Sequence, residues 1–268
     1  IKKVVFGIED IDKKVRSKSL KILKKKKIIF KKNNLNNQIN EFYNPYKFNR
    51  LNKLPYVTGK IAISKNNIFY SPNVKKITNK QTEKFTHYLR YKNDGIIVTS
   101  KTLNNDNPKL NCRLKGLGKF SPIRIILDRN INTDKKSYIF KTSNSKNTIL
   151  FFNKDQNKNL SVFKKKGIRL YKTKIDKNNL LDLNWILKKL YSLGLRNILV
   201  ETGNELSKSF IKDKLFNNFY LLQSPDYIPL SIGSKLFKNY AYLKKIYKNK
   251  IKVNNGYNKD QIELYRRN

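Results

Sequence analysis

The stretch TSKTLNNDNPKLNCRL, Thr99 to Leu114, decides the fold, because it follows the apolar run IIVTS (Ile96 to Ser100) and is answered downstream by ILVETGNELSKSF (Ile198 to Phe210). IIVTS and NILVE (Asn197 to Glu201) are short apolar runs of the kind that make buried strands. Both belong in the middle of one sheet. Each run ends in small, polar and charged residues, and open α/β sheets bind ligands beyond the carboxyl ends of their strands. Two such ends make one site. Arg113 offers a planar fork of donors for a phosphate, and Asp106 accepts hydrogen bonds from sugar hydroxyls. Thr202, Gly203 and Asn204 open a helix whose free backbone N–H groups and positive dipole end suit an anion. Taken alone, Asp106, Asn107 and Pro108 read equally well as a surface turn, with Arg113 a solvated charge.

The remaining chain alternates strand and helix patterns, which predicts an α/β fold with a mixed sheet. Val4, Val5 and Phe6 form a buried-strand pattern, followed by a helix bearing Leu20 and Leu23 and a strand from Ile28 to Phe30. Residues 33–54, polar and Asn-rich with Pro45, read as a linker. YVTGKIAIS (Tyr56 to Ser64) is the next strand. Thr78 with Gln81 predicts a capping box for a helix whose inner stripe is Phe85, Tyr88, Leu89 and Lys92. PIRIILD (Pro122 to Asp128), NTILFF, GIRLY and NFYLLQ are further strands. DLNWILKKLYSLG is a helix with Asp182 at its start, Gly194 as its stop, Leu183, Ile186, Leu187 and Leu190 on one face and Trp185 at that face's edge. YLKKIYKNKIKV and QIELY read as a final strand pair.

Sixty basic against eighteen acidic residues give a net charge of +42. The lysines are spread through the chain with many Asn, Ile, Phe and Tyr, and only KILKKKKIIFKK (Lys21 to Lys32) is a dense run. That is the pattern of a coding bias rather than of a specific nucleic-acid interface. A diffuse positive field still attracts phosphorylated ligands. The single cysteine, Cys112, excludes an internal disulfide, and with the single histidine, His87, read as a helix-surface or boundary residue, it leaves too few ligands for zinc. No metal is expected. No apolar stretch is long enough to span a membrane and no signal-peptide pattern is present, so the expectation is a cytoplasmic protein with no membrane partner.

Lys60, Ser64, Arg90, Thr102, Asp106, Pro108, Arg113, Val200, Glu201 and Gly203 together resemble, in order and nearly in spacing, the reductase domain of the bifunctional riboflavin biosynthesis deaminase/reductase family. The resemblance covers roughly Pro55 to the C-terminus. It implies a dihydrofolate reductase-like mixed sheet flanked by helices, which binds NADPH without a G-x-G-x-x-G fingerprint. It also implies NADPH-dependent reduction of 5-amino-6-(5-phosphoribosylamino)uracil to its ribitylamino product. On this resemblance Lys60, Asp106 and Glu201 are catalytic, handling sugar hydroxyls and protons, and Lys60 points into the cleft. Arg90 and Arg113 take the substrate phosphate, with Leu110 and Glu201 also against substrate. Ala62, Lys76, Thr102, Asp106 and the helix start Gly203, Asn204, Glu205, Leu206, Ser207, Lys208 and Ser209 contact NADPH.

The family's Ser-x-Trp-Ile-Thr stands here as Val74 to Thr78, so its phosphate-binding serine and its tryptophan are replaced, with Lys76 or Ser71 as substitutes. Residues 1–32 resemble a strand-helix-strand remnant of a cytidine deaminase-like domain, 33–54 the linker and 55–268 the reductase. The zinc motifs of the deaminase are not in the chain, so no deaminase activity is expected. The resemblance leaves a homodimer open. The alternatives are a pyrimidine or pterin reductase of the same fold, or a non-catalytic basic RNA-binding protein.

Overall fold

The two apolar runs are parallel neighbours at the centre of a nine-stranded sheet in a computed structural model that describes residues 1–12, 15, 17–32, 36–155, 159–176, 178–253 and 256–267. The chain begins with β1 (Lys3–Phe6), α1 (Lys18–Lys25), β2 (Ile29–Lys32), α2 (Asn36–Asn52), β3 (Tyr56–Ile63) and β4 (Ile68–Tyr70). Next come α3 (Lys80–Tyr91), β5 (Gly95–Thr99), α4 (Ser100–Asp106), β6 (Ile123–Leu127), α5 (Tyr138–Lys141), β7 (Thr148–Phe152), α6 (Leu160–Lys165) and β8 (Arg169–Lys172). It ends with α7 (Leu183–Ser192), β9 (Asn197–Glu201), α8 (Asn204–Lys212), β10 (Asn218–Gln223), β11 (Lys235–Leu236), α9 (Tyr240–Ile246), β12 (Asn249–Val253) and β13 (Gln261–Arg266).

The large sheet runs β12-β13-β10-β3-β9-β5-β6-β7-β8. The pairings from β10 through β8 are parallel, and β13 is antiparallel to both β10 and β12, which gives the expected mixed sheet. Strand alternation sorts the side chains into two cores. Val57, Ile61, Ile198, Val200, Phe219 and Leu221 pack on α7, α8 and α9, whereas Ile96, Val98, Ile126 and Leu199 pack on α3, α4 and α6. A Cβ on Gly59 would run into the Phe216 and Phe219 rings, so glycine there lets the first core close directly under β3. The next residue, Lys60, is thereby turned to the α3 face.

Several elements depart from the sequence expectations. The linker is mostly α2, with Pro45 inside it, and residues 33–35 lie outside the described residues. Buried Asn49 bonds the carbonyls of Leu54 at 2.8 Å and Arg196 at 3.0 Å, and Phe48 meets Tyr56 edge-on, so tertiary contacts hold a helix that propensity disfavours. β1 and β2 do form a parallel pair around α1, but they are not buried: Val5 is 57% and Ile29 66% exposed. The α3 cap is Asn79 rather than Thr78, because its side chain accepts from the amides of both Gln81 and Thr82. The buried stripe of α3 is Thr82, Thr86, His87, Leu89 and Arg90, with Tyr88 half exposed. Of the surface-turn reading of Asp106, Asn107 and Pro108, Asp106 instead ends α4, whose N-cap is the Thr99 hydroxyl, and the chain turns at Asn107. The segment around Leu243 is α9 rather than strand, since Leu243 and Tyr247 are both buried at helical spacing. In α7 the Asp182 cap, the buried Ile186, Leu187 and Leu190, and Gly194 just past the end stand as expected.

Candidate functional site

Lys60 on β3 and Glu201 on β9 are paired in register, and Tyr220 on β10 is the partner of Lys60 on the other side. All three side chains therefore stand on the α3 face. Arg90, near the end of α3, closes its fork on Glu201: Nε donates to Oε1 at 2.7 Å and Nη2 to Oε2 at 2.9 Å. Its Nη1 donates to the Asn111 carbonyl at 3.1 Å. That carbonyl follows Leu110, which sits at φ 53, a left-handed conformation unfavourable for a leucine and held here by its side chain's burial in the core.

The electrostatics follow from burial and the two cations. Burial raises the Glu201 carboxyl, but Arg90 and Lys60 outweigh it and hold the group at about 2. Burial pulls the Lys60 ammonium below its ordinary value, with Glu201 opposing and Arg90 assisting. Of the two, Lys60 is thus the group whose proton burial loosens, while Glu201 stays a fixed anion.

A cleft of about 370 Å3 opens beside this trio, with Lys60, Ala62, Thr102, Asp106, Glu201 and Gly203 among its lining residues. Asp106, exposed at the end of α4, has its carboxyl pushed up by partial desolvation among the cleft residues, with Lys235 opposing. The cleft is also lined by the start of α8, whose N-cap Gly203 makes no side-chain bond to the helix. The amides of Asn204, Glu205 and Leu206 lie in its first turn, where an α-helix has no internal partners for them. Asn204 also ties the wall to β11, donating to the Leu236 carbonyl at 2.7 Å.

Three sequence-expected groups are distributed differently. Gly203, Asn204, Glu205 and Leu206 line the cleft, but Ser207, Lys208 and Ser209 do not. Ser207 is buried, its hydroxyl spent on the carbonyls of Gly203 and Asn204, and Ser209 donates to Glu205 one turn back. Leu110 is 2% exposed, a core residue rather than a lining one. Lys76 is likewise outside the cleft and pairs with Glu83 at 2.5 Å. Arg113 reaches the same Glu83 at 3.3 Å.

Arg90, expected on a phosphate, has its fork committed to Glu201, which leaves Arg113 as the accessible guanidinium. His87, expected at the helix surface, is 5% exposed, and burial together with Arg90 and Arg113 holds it at about 4. It is neutral, and Nδ1 accepts the Arg113 amide at 3.3 Å. Ser71 is buried with no partner for its hydroxyl among the described residues. Sequence reasoning missed Glu83, although it precedes His87 by four and Arg90 by seven residues, the spacing of one helix face. Lys101 and Lys235, also at the cleft, carry no such local signal. Among the described residues no group of three His, Cys, Asp or Glu side chains is placed to hold a metal ion, and no helix is long and apolar enough to cross a membrane.

Residues 55–250 match the model of the RibD C-terminal domain. The chain is 28% identical over 179 residues to the riboflavin biosynthesis protein RibD of Aquifex aeolicus, an alignment covering 66% of this chain and 48% of that protein. It is 26% identical over 176 residues to the 5-amino-6-(5-phosphoribosylamino)uracil reductase of Buchnera aphidicola subsp. Acyrthosiphon pisum, covering 56% of this chain and 75% of that one. The chain thus spans about half the length of the Aquifex RibD. The solved structure of Acinetobacter baumannii RibD (form 1) has the same fold, with a TM-score of 0.79 at 19% identity over 100% of this chain and 73% of that chain.

Proposed function

The chain belongs to the RibD C-terminal domain family, and on that premise we propose that it is a cytoplasmic NADPH-dependent reductase of 5-amino-6-(5-phosphoribosylamino)uracil. The observation that carries the proposal is the Lys60, Glu201 and Arg90 trio, in which Lys60 on β3 is in register with Glu201 at the end of β9 and Arg90 reaches in from α3, set beside a cleft walled by a helix N-terminus. The match beginning at residue 55 supports a reductase domain from Pro55 onward. On this reading residues 1–32 are a deaminase-derived strand-helix-strand unit and α2 is the connector.

The cleft's donor set fits a dinucleotide. The first-turn amides of α8 suit a pyrophosphate, Lys101 and Lys235 add positive charge, and the small Ala62 and Gly203 leave room against the sheet. Thr102 and Asp106 complete the wall that would hold NADPH. When bound, NADPH supplies a hydride, here to C1 of the ribose in its open imine form.

The chain's own residues then have distinct tasks. Arg113 binds the sugar phosphate through its fork. Glu201, pinned by Arg90, holds Lys60 in place and accepts a sugar hydroxyl. Lys60 delivers the proton that the imine nitrogen needs once C1 has taken two electrons, and burial makes that ammonium readier to release it. Asp106 orients the remaining hydroxyls. Preorganisation of these charges before substrate arrives is the larger part of what such a site contributes.

Oxidation of NADPH by the purified chain with that uracil tests the reading directly. Turnover supports it, and absence of turnover together with stabilisation by RNA in place of NADPH would return the basic-binding alternative.

A further inference from the structure

The Glu83 carboxylate is surrounded by donors from three separate parts of the chain. Lys76, from the loop before α3, reaches Oε2 at 2.5 Å, and Arg113, from the loop after α4, reaches Oε1 at 3.3 Å. His87, one turn along α3, places Nε2 at 3.9 Å from Oε1. Because His87 is neutral and its Nδ1 accepts the Arg113 amide, the ring proton is on Nε2, facing Glu83. Two cations and a neutral N–H thus converge on one anionic point. Arg90 and Lys60 lie within electrostatic reach of the same carboxylate. Glu83 itself is partly exposed, at 28%, so it can leave this position for solvent without unfolding the helix.

A set of donors converging on one anion is what a phosphate monoester requires, and Arg113 is the accessible guanidinium beside the site. We propose that Glu83 is an internal placeholder for the substrate's phosphate: it keeps Lys76, Arg113 and His87 aimed at one point in the free protein and is displaced when a sugar phosphate binds. This rests on the reading of the site as one for a phosphorylated sugar. The arrangement lowers apparent affinity, because the ligand must first break the Glu83 contacts, and it selects for ligands with more charge than one carboxylate. A dianionic phosphate can displace Glu83, whereas a dephosphorylated analogue cannot.

The test is Glu83→Gln, which keeps the volume and removes the competing charge. Calorimetric titration with inorganic phosphate should show about tenfold tighter binding than wild type, a modest change because the pair is partly solvated. The Michaelis constant for the phosphoribosylamino substrate should fall in parallel. The double variant Glu83→Gln with Arg113→Gln should lose the gain. Unchanged or weaker phosphate binding in Glu83→Gln would overturn the proposal, since Glu83 would then be aligning the two cations rather than competing for them. A gain that persists without Arg113 would overturn it too, as a general effect of net charge. Tighter phosphate binding without turnover of the uracil would leave the role of Glu83 standing and remove the assigned reaction. Turnover without tighter phosphate binding would do the reverse.

Discussion

Replacing Glu201 by Gln should separate stability from chemistry in one variant. The side chain is 17% exposed and its partner Arg90 10%, so the change leaves a buried guanidinium facing a neutral amide. Breaking a buried pair on one side costs about 3 to 5 kcal/mol, and the retained amide oxygen trims that towards about 3. The depression of the carboxyl by its two cations points to a similar figure: a drop from 4.5 to about 2 in the folded protein corresponds to about 3 kcal/mol. A depressed carboxyl stabilises fully above its unfolded value and loses that contribution as pH falls through the folded one. The wild type should therefore lose about 3 kcal/mol between roughly pH 5 and pH 2 that the variant never had. Urea denaturation across that range should show a gap of about 3 kcal/mol at pH 7 that closes towards pH 2. The same variant should shift the rate profile. Glu201 supports the Lys60 ammonium against burial and Arg90, so its loss lets Lys60 deprotonate at lower pH, and the limb that needs it protonated should move in the acid direction. Stability curves that run parallel from pH 7 to pH 2, with no closing gap, would refute the assignment of Glu201 as the fixed anion.

The other expectations concern single positions. Arg113→Lys should raise the Michaelis constant for the phosphorylated substrate by about 10 to 150-fold, because a lysine loses one charge-assisted bond worth about 1.5 to 3 kcal/mol, and should change that for NADPH little. Arg90→Lys should lower turnover and thermal stability instead, since its fork is on Glu201; initial-rate kinetics on the pair separate the two roles. Asp106→Asn should reduce turnover about 10 to 1000-fold with melting close to wild type, the residue lying at an exposed helix end. His87→Gln should abolish part of the acid sensitivity of folding: the buried ring is held at about 4 against an ordinary 6.5, so its contribution is intact above about 6.5 and lost as pH falls towards 4. Denaturant midpoints measured at pH 7 and pH 4.5 check this.

Local signals made much of the fold legible. β5 and β9 are continuous apolar runs because both faces of a central parallel strand are covered. β3 alternates, with Val57, Ile61 and Ile63 in one core and Thr58, Lys60 and Ala62 on the other face, and that alternation places Lys60 beside Glu201. The helix after Glu201 was readable from Gly203 and the spacing of Leu206 and Phe210. What was not legible shares a cause, which is that the deciding partner is distant in sequence. α2 is Asn-rich and contains proline, and what makes it a helix is its docking on the carbonyl of Arg196 and the ring of Tyr56. For Arg90, the neighbouring sequence does not reveal that its fork meets a carboxylate 111 residues away. Leu110 and Lys76 were assigned by position in a motif, whereas their contacts are set by how the loop after α4 and the loop before α3 fold back.

In a chain with sixty basic and eighteen acidic residues, a lysine or arginine near a cleft says little, because cations are the background. The carboxylates are the rarer signal. Glu201 sits between Lys60 and Arg90, Glu83 between Lys76 and Arg113, and Asp106 faces the field of Lys235. Glu201 and Glu83 each convert neighbouring positive charge from a diffuse field, which salt screens within about 8 Å at physiological ionic strength, into a fixed pair with defined geometry. Functional positions in such a chain are therefore better sought by asking which acids are sheltered by two cations than by asking where the basic residues cluster. By that criterion Glu83, absent from the sequence-based assignment, stands beside Glu201 as a determinant of the site.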